Sequence, residues 1–286
     1  MAASHVTLEP GQTGYPAGLL TLARPPAALF VAGTVPEGPA VAVVGTRAAD
    51  RGGLRLARRI AAGLAGAGVT VISGGARGID QAAHEGALEA GGTTVMVLGC
   101  GLGVEYPRGS SDLRDRVARS GAVISELPLD APPRPAHFHR RNRIVAALAR
   151  AVLVVQAGAR SGALAVARLG REMGRPVLAV PGLPDSPRTR GTHGLLRSGA
   201  LLAENAGDVL AAIGLEAAAA PVASGPEPRA SGLARRLVRR LDERGEASAD
   251  ELARDVRHPV GEVLSALIEL ELEGLIACHG GCYERS

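Results

Sequence analysis

Short runs of β-branched and other apolar residues alternate with longer runs rich in Ala, Leu and Arg from Val41 to about Ile213. This alternation constrains the fold most, because repeated strand and helix units build a parallel sheet with helices on its faces. The strands of such a sheet are buried on both faces and therefore appear as continuous apolar runs. The candidate strands are Val41 to Val44, Val69 to Ile72, Thr94 to Leu98, Ala122 to Ile124, Val152 to Val155 and Val177 to Val180.

The segments between these runs predict helices. They lie at Gly53 to Ala65, Ile79 to Ala90, Ser111 to Ser120, Asn142 to Ala149, Gly162 to Met173 and Ala206 to Ile213. Residues 1–40 lack the alternation, so we expect them to form an irregular N-terminal cap on an α/β domain at 41–214.

A second, smaller unit is predicted after a break in this pattern. Residues 215–230 lose all periodicity and gather Ala, Pro, Ser and Gly, a composition typical of a linker. Residues 231–286 then predict three helices and a terminal hairpin, an arrangement typical of a small winged-helix domain. The helices are expected at Leu233 to Glu243, from near Ser248, and at about Pro259 to Glu273.

The basic residues are all arginines. The sequence contains no lysine, so 32 arginines account for its basic residues, and the formal net charge is +4. Arginine grips phosphate bidentately and stacks on bases, whereas lysine is a hydrated point charge. The base composition of the genome is the simpler explanation for the absence of lysine, but it does not explain where the arginines cluster.

Neither a membrane span nor a disulfide framework is predicted. The opening residues lack the charged head and apolar run of a secretion signal, and no stretch approaches about 18 uninterrupted apolar residues. The three cysteines form no disulfide pattern, and Cys278, His279 and Cys282 lack a fourth ligand at a spacing that suits zinc. We therefore expect a cytoplasmic protein with no metal and no membrane partner.

Four of the predicted strands end in turns of the same chemical character. Ligands of open α/β sheets bind beyond the carboxyl ends of the strands, where glycines expose backbone amides and arginines neutralise phosphate charge. The turns are GTR at 45–47, SGGARGID at 73–80, GCGLG at 99–103 and GARSG at 158–162. Tight βα geometry alone explains a single glycine, but four such turns with three arginines favour a phosphate-binding rim.

The segment FHRRNR at 138–143 combines an aromatic ring, three arginines and an amide. Binding of single-stranded nucleic acid needs this mixture of phosphate contacts, stacking surfaces and base-edge contacts. We place the segment at the start of a helix, where positive charge opposes the macrodipole and a nearby anion would explain it. The alternative is that Phe138 fills the core and that the arginines are solvated.

Asp80, His84 and Glu126 have structural interpretations. Asp80 sits where an N-terminal helix cap belongs. His84 lies four residues later on the same helix face, where it can pair with Asp80. Glu126 follows a strand without a partner at a suitable spacing, and we interpret it as structural or as a hydrogen-bond acceptor rather than as a general base.

The order of the motifs resembles that of the DNA-processing protein A (DprA, or Smf) family from about Tyr15 to Ile213. The closing helices, with LIELELEGLI at 267–276, are similar to the winged helix of that family. The matching motifs are VGTR (44–47), SGGARGID (73–80), GCGLGVEYP (99–107), SELP (125–128), FHRRNR (138–143), RSGAL (160–164) and VPG (180–182).

This resemblance implies an extended Rossmann-like domain that binds single-stranded DNA without catalysis, forms homodimers and helps to load a RecA-type recombinase during natural transformation. Where the family usually has VVEA and SGSLIT, this chain has VVQA at 154–157 and SGALAV at 161–166. These departures change side-chain contacts but leave the backbone amides. Carried over by position, the DNA-facing residues would be Gly45, Thr46, Arg47, Ser73, Gly74, Arg77, Gly78, Phe138, Arg140, Arg141, Asn142, Arg143, Arg160, Ser161 and Gly162.

The winged helix has an unfavourable charge for binding DNA. Its third helix contains Glu262, Glu269, Glu271 and Glu273, whereas the basic side chains lie mostly on the first helix. Phosphates would be repelled by such a recognition helix. We therefore predict an interaction or regulatory module.

Two enzymatic functions are the alternatives. Nucleotide phosphoribohydrolases of the lysine-decarboxylase-like group have a similar sheet, but their PGGxGTxxE stretch corresponds here to QAGARSGAL at 156–164, which has no carboxylate. A dehydrogenase is disfavoured because GTRAADRGG at 45–53 and GCGLGVEYP at 99–107 both differ from the GxGxxG spacing. We therefore expect no cofactor.

Overall fold

The computed structural model describes residues 5–215 and 232–285. The chain divides into two compact units, Met1–Ala220 and Pro221–Ser286. The linker predicted at 215–230 lies, apart from Leu215, outside the described residues. In the part of the chain that the structure describes, no helix is long and apolar enough to cross a membrane.

A nine-stranded sheet forms the centre of the larger unit. Its strands are β1 (Val6–Leu8), β2 (Leu29–Gly33), β3 (Ala40–Val44), β4 (Thr70–Ser73), β5 (Thr94–Val97), β6 (Ala122–Ser125), β7 (Ala151–Val154), β8 (Val177–Ala179) and β9 (Leu201–Leu202). They lie in the order β1-β2-β6-β5-β4-β3-β7-β8-β9, and all neighbours from β6 to β9 are parallel. The predicted α/β fold with a mostly parallel, Rossmann-like sheet is confirmed.

Helices cover both faces of this sheet. Helices α1, α2 and α7 pack against one face with Val41 and Val43 of β3, whereas α4 and α5 pack against the other with Ala42 and Val44. Alternate residues of one strand therefore enter two separate cores. The helices are α1 (Arg51–Gly66), α2 (Ile79–Glu89), α3 (Ser111–Ser120), α4 (Pro135–Leu148), α5 (Ala163–Glu172), α6 (Arg190–Arg197) and α7 (Ala206–Ala212).

The N-terminal residues are more regular than predicted. The expectation of an irregular cap over residues 1–40 is wrong for β1 and β2, which extend the sheet as antiparallel strands, with Phe30 of β2 opposite Ser125 of β6. This pairing depends on the open edge of β6, which comes much later in the chain. Gly33 ends β2 with a φ of +91°, and a Cβ there would lie 2.2 Å from the carbonyl oxygen of Gly121. Glycine is needed for this approach.

Helix α4 begins at Pro135, well before the predicted start at Asn142. Proline suits the first helical turn, because its φ is helical and its missing N–H needs no acceptor there. The arginines at 140, 141 and 143 therefore lie beyond the first turn, and the argument that they oppose the macrodipole at a helix start is wrong. Helix α6 and strand β9 were not predicted, since the glycines and serine of residues 190–202 mask their pattern.

The smaller unit forms the predicted winged helix around its own core. Ser248 caps its second helix by accepting from the N–H of Glu251, and the Glu251 carboxylate accepts in turn from the N–H of Ser248, which completes a capping box. Strand β10 was not predicted, and it pairs with β12, which also pairs with β11. The elements are α8 (Gly232–Arg244), β10 (Glu246–Ser248), α9 (Ala249–Val256), α10 (Val260–Leu272), β11 (Ile276–His279) and β12 (Cys282–Arg285).

Candidate nucleic-acid interface

Six loops leave the sheet at the carboxyl ends of the parallel strands. We call these loops the rim. Most of the predicted site residues lie in it, while Ser73 lies in β4 and residues 138–143 lie in α4. The loops span residues 45–50, 74–78, 98–110, 126–134, 155–162 and 180–189.

The loops after β3, β4 and β7 contact one another through their backbones. The N–H of Thr46 donates to the carbonyl oxygen of Gln156 at 2.7 Å, and the N–H of Ile79 donates to that of Thr46 at 3.3 Å. Gly78 has a φ of +86°, and a Cβ there would lie 2.4 Å from the Thr46 carbonyl oxygen. The structure therefore brings Thr46, Arg47 and Gly78 together and requires glycine at position 78.

The buried carboxylate of Asp80 holds the backbone amides of two rim loops. It accepts hydrogen bonds from the N–H groups of Gly74 at 3.2 Å and Ala76 at 3.4 Å, and also from that of Gly45. The predicted role of Asp80 as the N-terminal cap is wrong, because Gly78 holds the cap position of α2. The carboxylate instead turns back towards the loop that precedes the helix.

Arg141 lies beneath the rim rather than on its surface. It is 7% exposed, and its Nη1 donates to the carbonyl oxygens of Gly74 at 2.7 Å and of Val97. A Cβ at Gly74 would lie 2.4 Å from the guanidinium nitrogens. Burial raises the pKa of Asp80 overall, although the positive charge of Arg141 acts to lower it. Arg141 therefore positions the loop that carries Gly74, and it does not face a ligand as predicted.

Glu126 pairs with the two arginines that flank Arg141. Its side chain is 3% exposed, and its Oε2 lies 2.9 Å from Arg140 Nη2 and 2.5 Å from Arg143 Nη2. Arg143 also donates to the carbonyl oxygen of Arg24 at 2.9 Å. The interpretation of Glu126 as a hydrogen-bond acceptor is confirmed. Its carboxylate compensates one of the two positive charges of Arg140 and Arg143, both of which were predicted to contact DNA.

The exposed side chain of Arg47 lies over the ring of Phe138. The Cζ atom of Arg47 lies 5.5 Å from the ring centroid, within the range of a cation–π interaction. Tyr106 packs at the side of Phe138, with 5.2 Å between the ring centroids. Tyr106 was not predicted as a site residue, although the scarcity of aromatics, three Tyr and two Phe in the chain, marks it.

Exposed arginines from four loops line the rim. Arg47, Arg77 and Arg160 are exposed, and within residues 5–215 and 232–285 none of them forms an ion pair. Arg108, in the loop after β5, is also exposed and forms no ion pair within the described residues. It was not among the predicted site residues. Because the strands are parallel, all four loops leave the same edge of the sheet.

The remaining predicted residues differ in accessibility. Ser73 is fully buried, and its Oγ donates to the carbonyl oxygen of Val43 at 2.6 Å, which joins two strands. Asn142 is 7% exposed, and within the described part of the chain its side-chain amide makes no hydrogen bond. Ser161 Oγ accepts from the N–H of Ala163 at 3.4 Å, and Gly162 is the cap residue of α5.

Gln156, at a departure from the family pattern, joins the end of β7 to the start of α1. Its Nε2 donates to Asp50 Oδ2 at 2.7 Å, and its Oε1 accepts from the N–H of Asp50 at 3.2 Å. Asp50 caps α1 by accepting from the N–H of Gly53 at 2.8 Å. Burial raises the pKa of Asp50, but the hydrogen bonds from Gly53 and Gln156 outweigh it and lower the pKa overall.

His84 does not pair with Asp80, so that prediction is wrong. The His84 ring is fully buried, and its Nδ1 lies 2.7 Å from Thr94 Oγ1, which itself donates to the carbonyl oxygen of Val71. The Nδ1 atom therefore carries a proton and donates it to Thr94. Burial, followed by the charge of Arg141, lowers the pKa of His84 to about 3, which keeps the ring neutral.

These features define a class of protein, an open, doubly wound α/β protein whose rim carries exposed arginines and an aromatic ring. A winged-helix unit follows in the sequence. The chain belongs to the DNA recombination-mediator protein A family, whose model matches residues 6–214. The model of the DprA winged helix domain matches residues 218–282. The resemblance to the DprA family is thereby confirmed.

Individual relatives agree with this assignment. A Mycobacterium tuberculosis protein named for DNA processing is 44% identical over 249 residues, which cover 85% of this chain and 63% of that relative. The crystal structure of DprA from Streptococcus pneumoniae has a TM-score of 0.69 and 36% identity, and the match covers 73% of this chain and 75% of that chain. A Helicobacter pylori DprA structure, described for its single-stranded DNA binding mode, has a TM-score of 0.65 and 30% identity, and the match covers 73% of this chain and 95% of that chain.

The substitution Gln156→Glu is expected to destabilise the larger unit at pH 7. It removes the donor to Asp50 and brings two carboxylates together, so the free energy of unfolding should fall by about 1–3 kcal/mol. Chemical denaturation followed by circular dichroism measures this loss. The double variant Asp50→Asn with Gln156→Glu is the matched control, because it reverses the donor and keeps a good cap. Equal losses in the single and double variants would contradict the bridge.

Proposed function

We propose that the rim binds single-stranded DNA. The observation that carries this proposal is the exposed guanidinium of Arg47, which lies over the Phe138 ring. Proteins that bind single strands place a cation for the phosphate next to a ring for the base. The Helicobacter pylori relative, whose structure concerns single-stranded DNA binding, supports the same ligand for this chain.

The role proposed for each residue follows from the exposure of its side chain. Arg47, Arg77, Arg108 and Arg160 are exposed and would meet phosphates, whereas Phe138 and Tyr106 would stack on bases. Arg140 and Arg143 would share their charge between DNA and Glu126. Ser73 and Arg141 would position the loops, and Asn142, which is as buried as Arg141, is not placed to contact a base edge. Backbone amides would come from Gly78 and Gly162 and hydroxyls from Thr46 and Ser161, whereas the amides of Gly45 and Gly74 are held by Asp80.

Arg47→Ala is expected to weaken binding of an oligo-dT probe and to flatten the salt dependence. Each neutralised phosphate contributes about −0.7 to the slope of log affinity against log salt on single strands, so the slope should fall by that amount. Phe138→Ala should cost about 1–3 kcal/mol of stacking and leave the slope unchanged. Fluorescence anisotropy at several salt concentrations measures both quantities.

The matched control is Arg150→Ala. Arg150 is exposed and immediately precedes β7, at the opposite edge of the sheet from the rim. It should leave both affinity and slope unchanged. A slope that stays constant in Arg47→Ala, or that falls equally in Arg150→Ala, would argue against the rim as the binding site.

We further propose that the rim binds without catalysis. The carboxylate of Asp80 is engaged by loop amides, and the neutral ring of His84 donates to Thr94, so neither group is placed to act on a ligand. The loop after β7, at 155–162, contains Gln156 but no carboxylate. Hydrolysis of a nucleoside monophosphate by the purified protein would contradict this proposal.

Membership of a recombination-mediator family supports a second step, the loading of a RecA-type recombinase during natural transformation, by a homodimer. The purified protein is expected to accelerate assembly of recombinase filaments on single strands coated with single-strand binding protein. Its mass in solution should be twice the 29.0 kDa of the chain. Filament assembly at the unassisted rate would contradict loading, and a monomeric mass would contradict the dimer.

The winged helix is proposed to contact another protein rather than DNA. Helix α10 combines exposed apolar side chains, Ile268 at 54% and Leu272 at 84% exposure, with the glutamates at 262, 269, 271 and 273. Acidic groups repel phosphate and apolar groups make no favourable contact with it, whereas both kinds of group can pack against another protein.

Deletion of the chain from Arg229 onward is expected to leave most of the affinity for single strands intact, because the rim lies wholly within the larger unit, which has its own core. Fluorescence anisotropy with the oligo-dT probe used for Arg47→Ala provides the comparison. Loss of nearly all binding in the truncated protein would overturn this assignment.

A further inference from the structure

A groove of about 510 Å³ lies beside the rim, between α1, α2 and the segment that leads into α3. Its volume lies within the range of about 300–1,000 Å³ that is usual for ligand sites. Arg47 and Gly78 line the groove and also belong to the rim loops after β3 and β4. The groove is therefore continuous with the proposed binding surface.

The lining of the groove has the chemistry of a nucleotide site. Leu54, Ala82 and Leu113 provide apolar surface on which a base can lie. The Gln81 amide can donate to or accept from a base edge, and the guanidinium of Arg55 can meet a phosphate.

The two acidic groups of the groove, Glu85 and Asp112, both pair with Arg116. Arg116 places Nη2 at 2.6 Å from Glu85 Oε2 and Nη1 at 3.5 Å from Asp112 Oδ2. Arg58, which also lines the groove, pairs with Glu89. Arg116 thus supplies one positive charge for two carboxylates, and the positive charge that a phosphate needs comes from Arg47, Arg55 and Arg58, which line the groove.

We propose that the strand bound at the rim continues into this groove, which holds a further nucleotide with its base on Leu54 and Ala82 and its phosphate at Arg55. This inference rests on the proposed binding of single-stranded DNA at the rim. It assigns to α1 and α2 a direct contact with the DNA. The motifs at the ends of the β-strands do not include this contact. Arg55 lines the groove together with Arg47 and Ala49 of the loop after β3.

The test compares a short and a long oligo-dT probe, of about six and about fifteen nucleotides, within the range of site sizes known for single-strand binding. Arg55→Ala should weaken binding of the long probe about fivefold and flatten its salt slope by about 0.7, and it should leave the short probe unchanged. Gln81→Ala should also act on the long probe alone. The matched control is Arg59→Ala, on the same helix, exposed and outside the groove.

The outcomes separate this inference from the function on which it rests. Equal losses for both probes in Arg55→Ala, or the same length-dependent loss in Arg59→Ala, overturn the groove and leave the rim in place. Failure of the unaltered protein to bind either probe overturns both. Thymidine monophosphate is the third probe, because binding of the free nucleotide that depends on Arg55 without any effect of strand length would show that the groove takes nucleotides rather than the strand.

Discussion

The opposite charges of Asp80 and Arg141, buried beneath the rim, hold the loop on which the candidate interface depends. The carboxylate accepts from the N–H of Gly74, and the guanidinium donates to the carbonyl oxygen of the same residue. Burial raises the pKa of Asp80 and lowers the pKa of Arg141, and the attraction between the two charges opposes both shifts. Because a buried charge without its partner is costly, removal of either side chain should disturb the loop as well as the pair.

This buried pair explains why positioning and binding fall to different residues. Arg141 Nη1 donates to the carbonyl oxygens of Gly74 and Val97, so the contact with DNA that we propose is made by Arg47, which is exposed and lies over Phe138. A side chain at position 74 would displace the Arg141 guanidinium, because that group occupies the space of a Cβ. The rim thus has a hydrogen-bonded buried layer and exposed positive charge on its surface. This arrangement suits the proposed binding of single-stranded DNA, whose backbone charge is constant and whose bases vary.

The candidate site was predictable in outline but not in depth. The glycine-rich turns at the strand ends identified most of the rim, because parallel topology gathers such turns at one edge. The three arginines of FHRRNR were given one role, yet Arg141 is buried and the other two pair with Glu126. Tyr106 and Arg108 were missed, because nothing local to their motif shows that one packs on Phe138 and the other stays exposed.

The sequence alone determined the parallel βα core, the winged helix and the family, because burial on both strand faces, helical periodicity and motif order are local patterns. Only the tertiary structure decided that β1 and β2 join the sheet and that Arg141 lies inside while Arg47 lies outside. Those outcomes depend on partners far away in the chain, such as the carbonyl oxygens of Gly74 and Val97 for Arg141. An arginine is buried or exposed according to whether folding brings acceptors to it, and its neighbours in sequence do not carry that information.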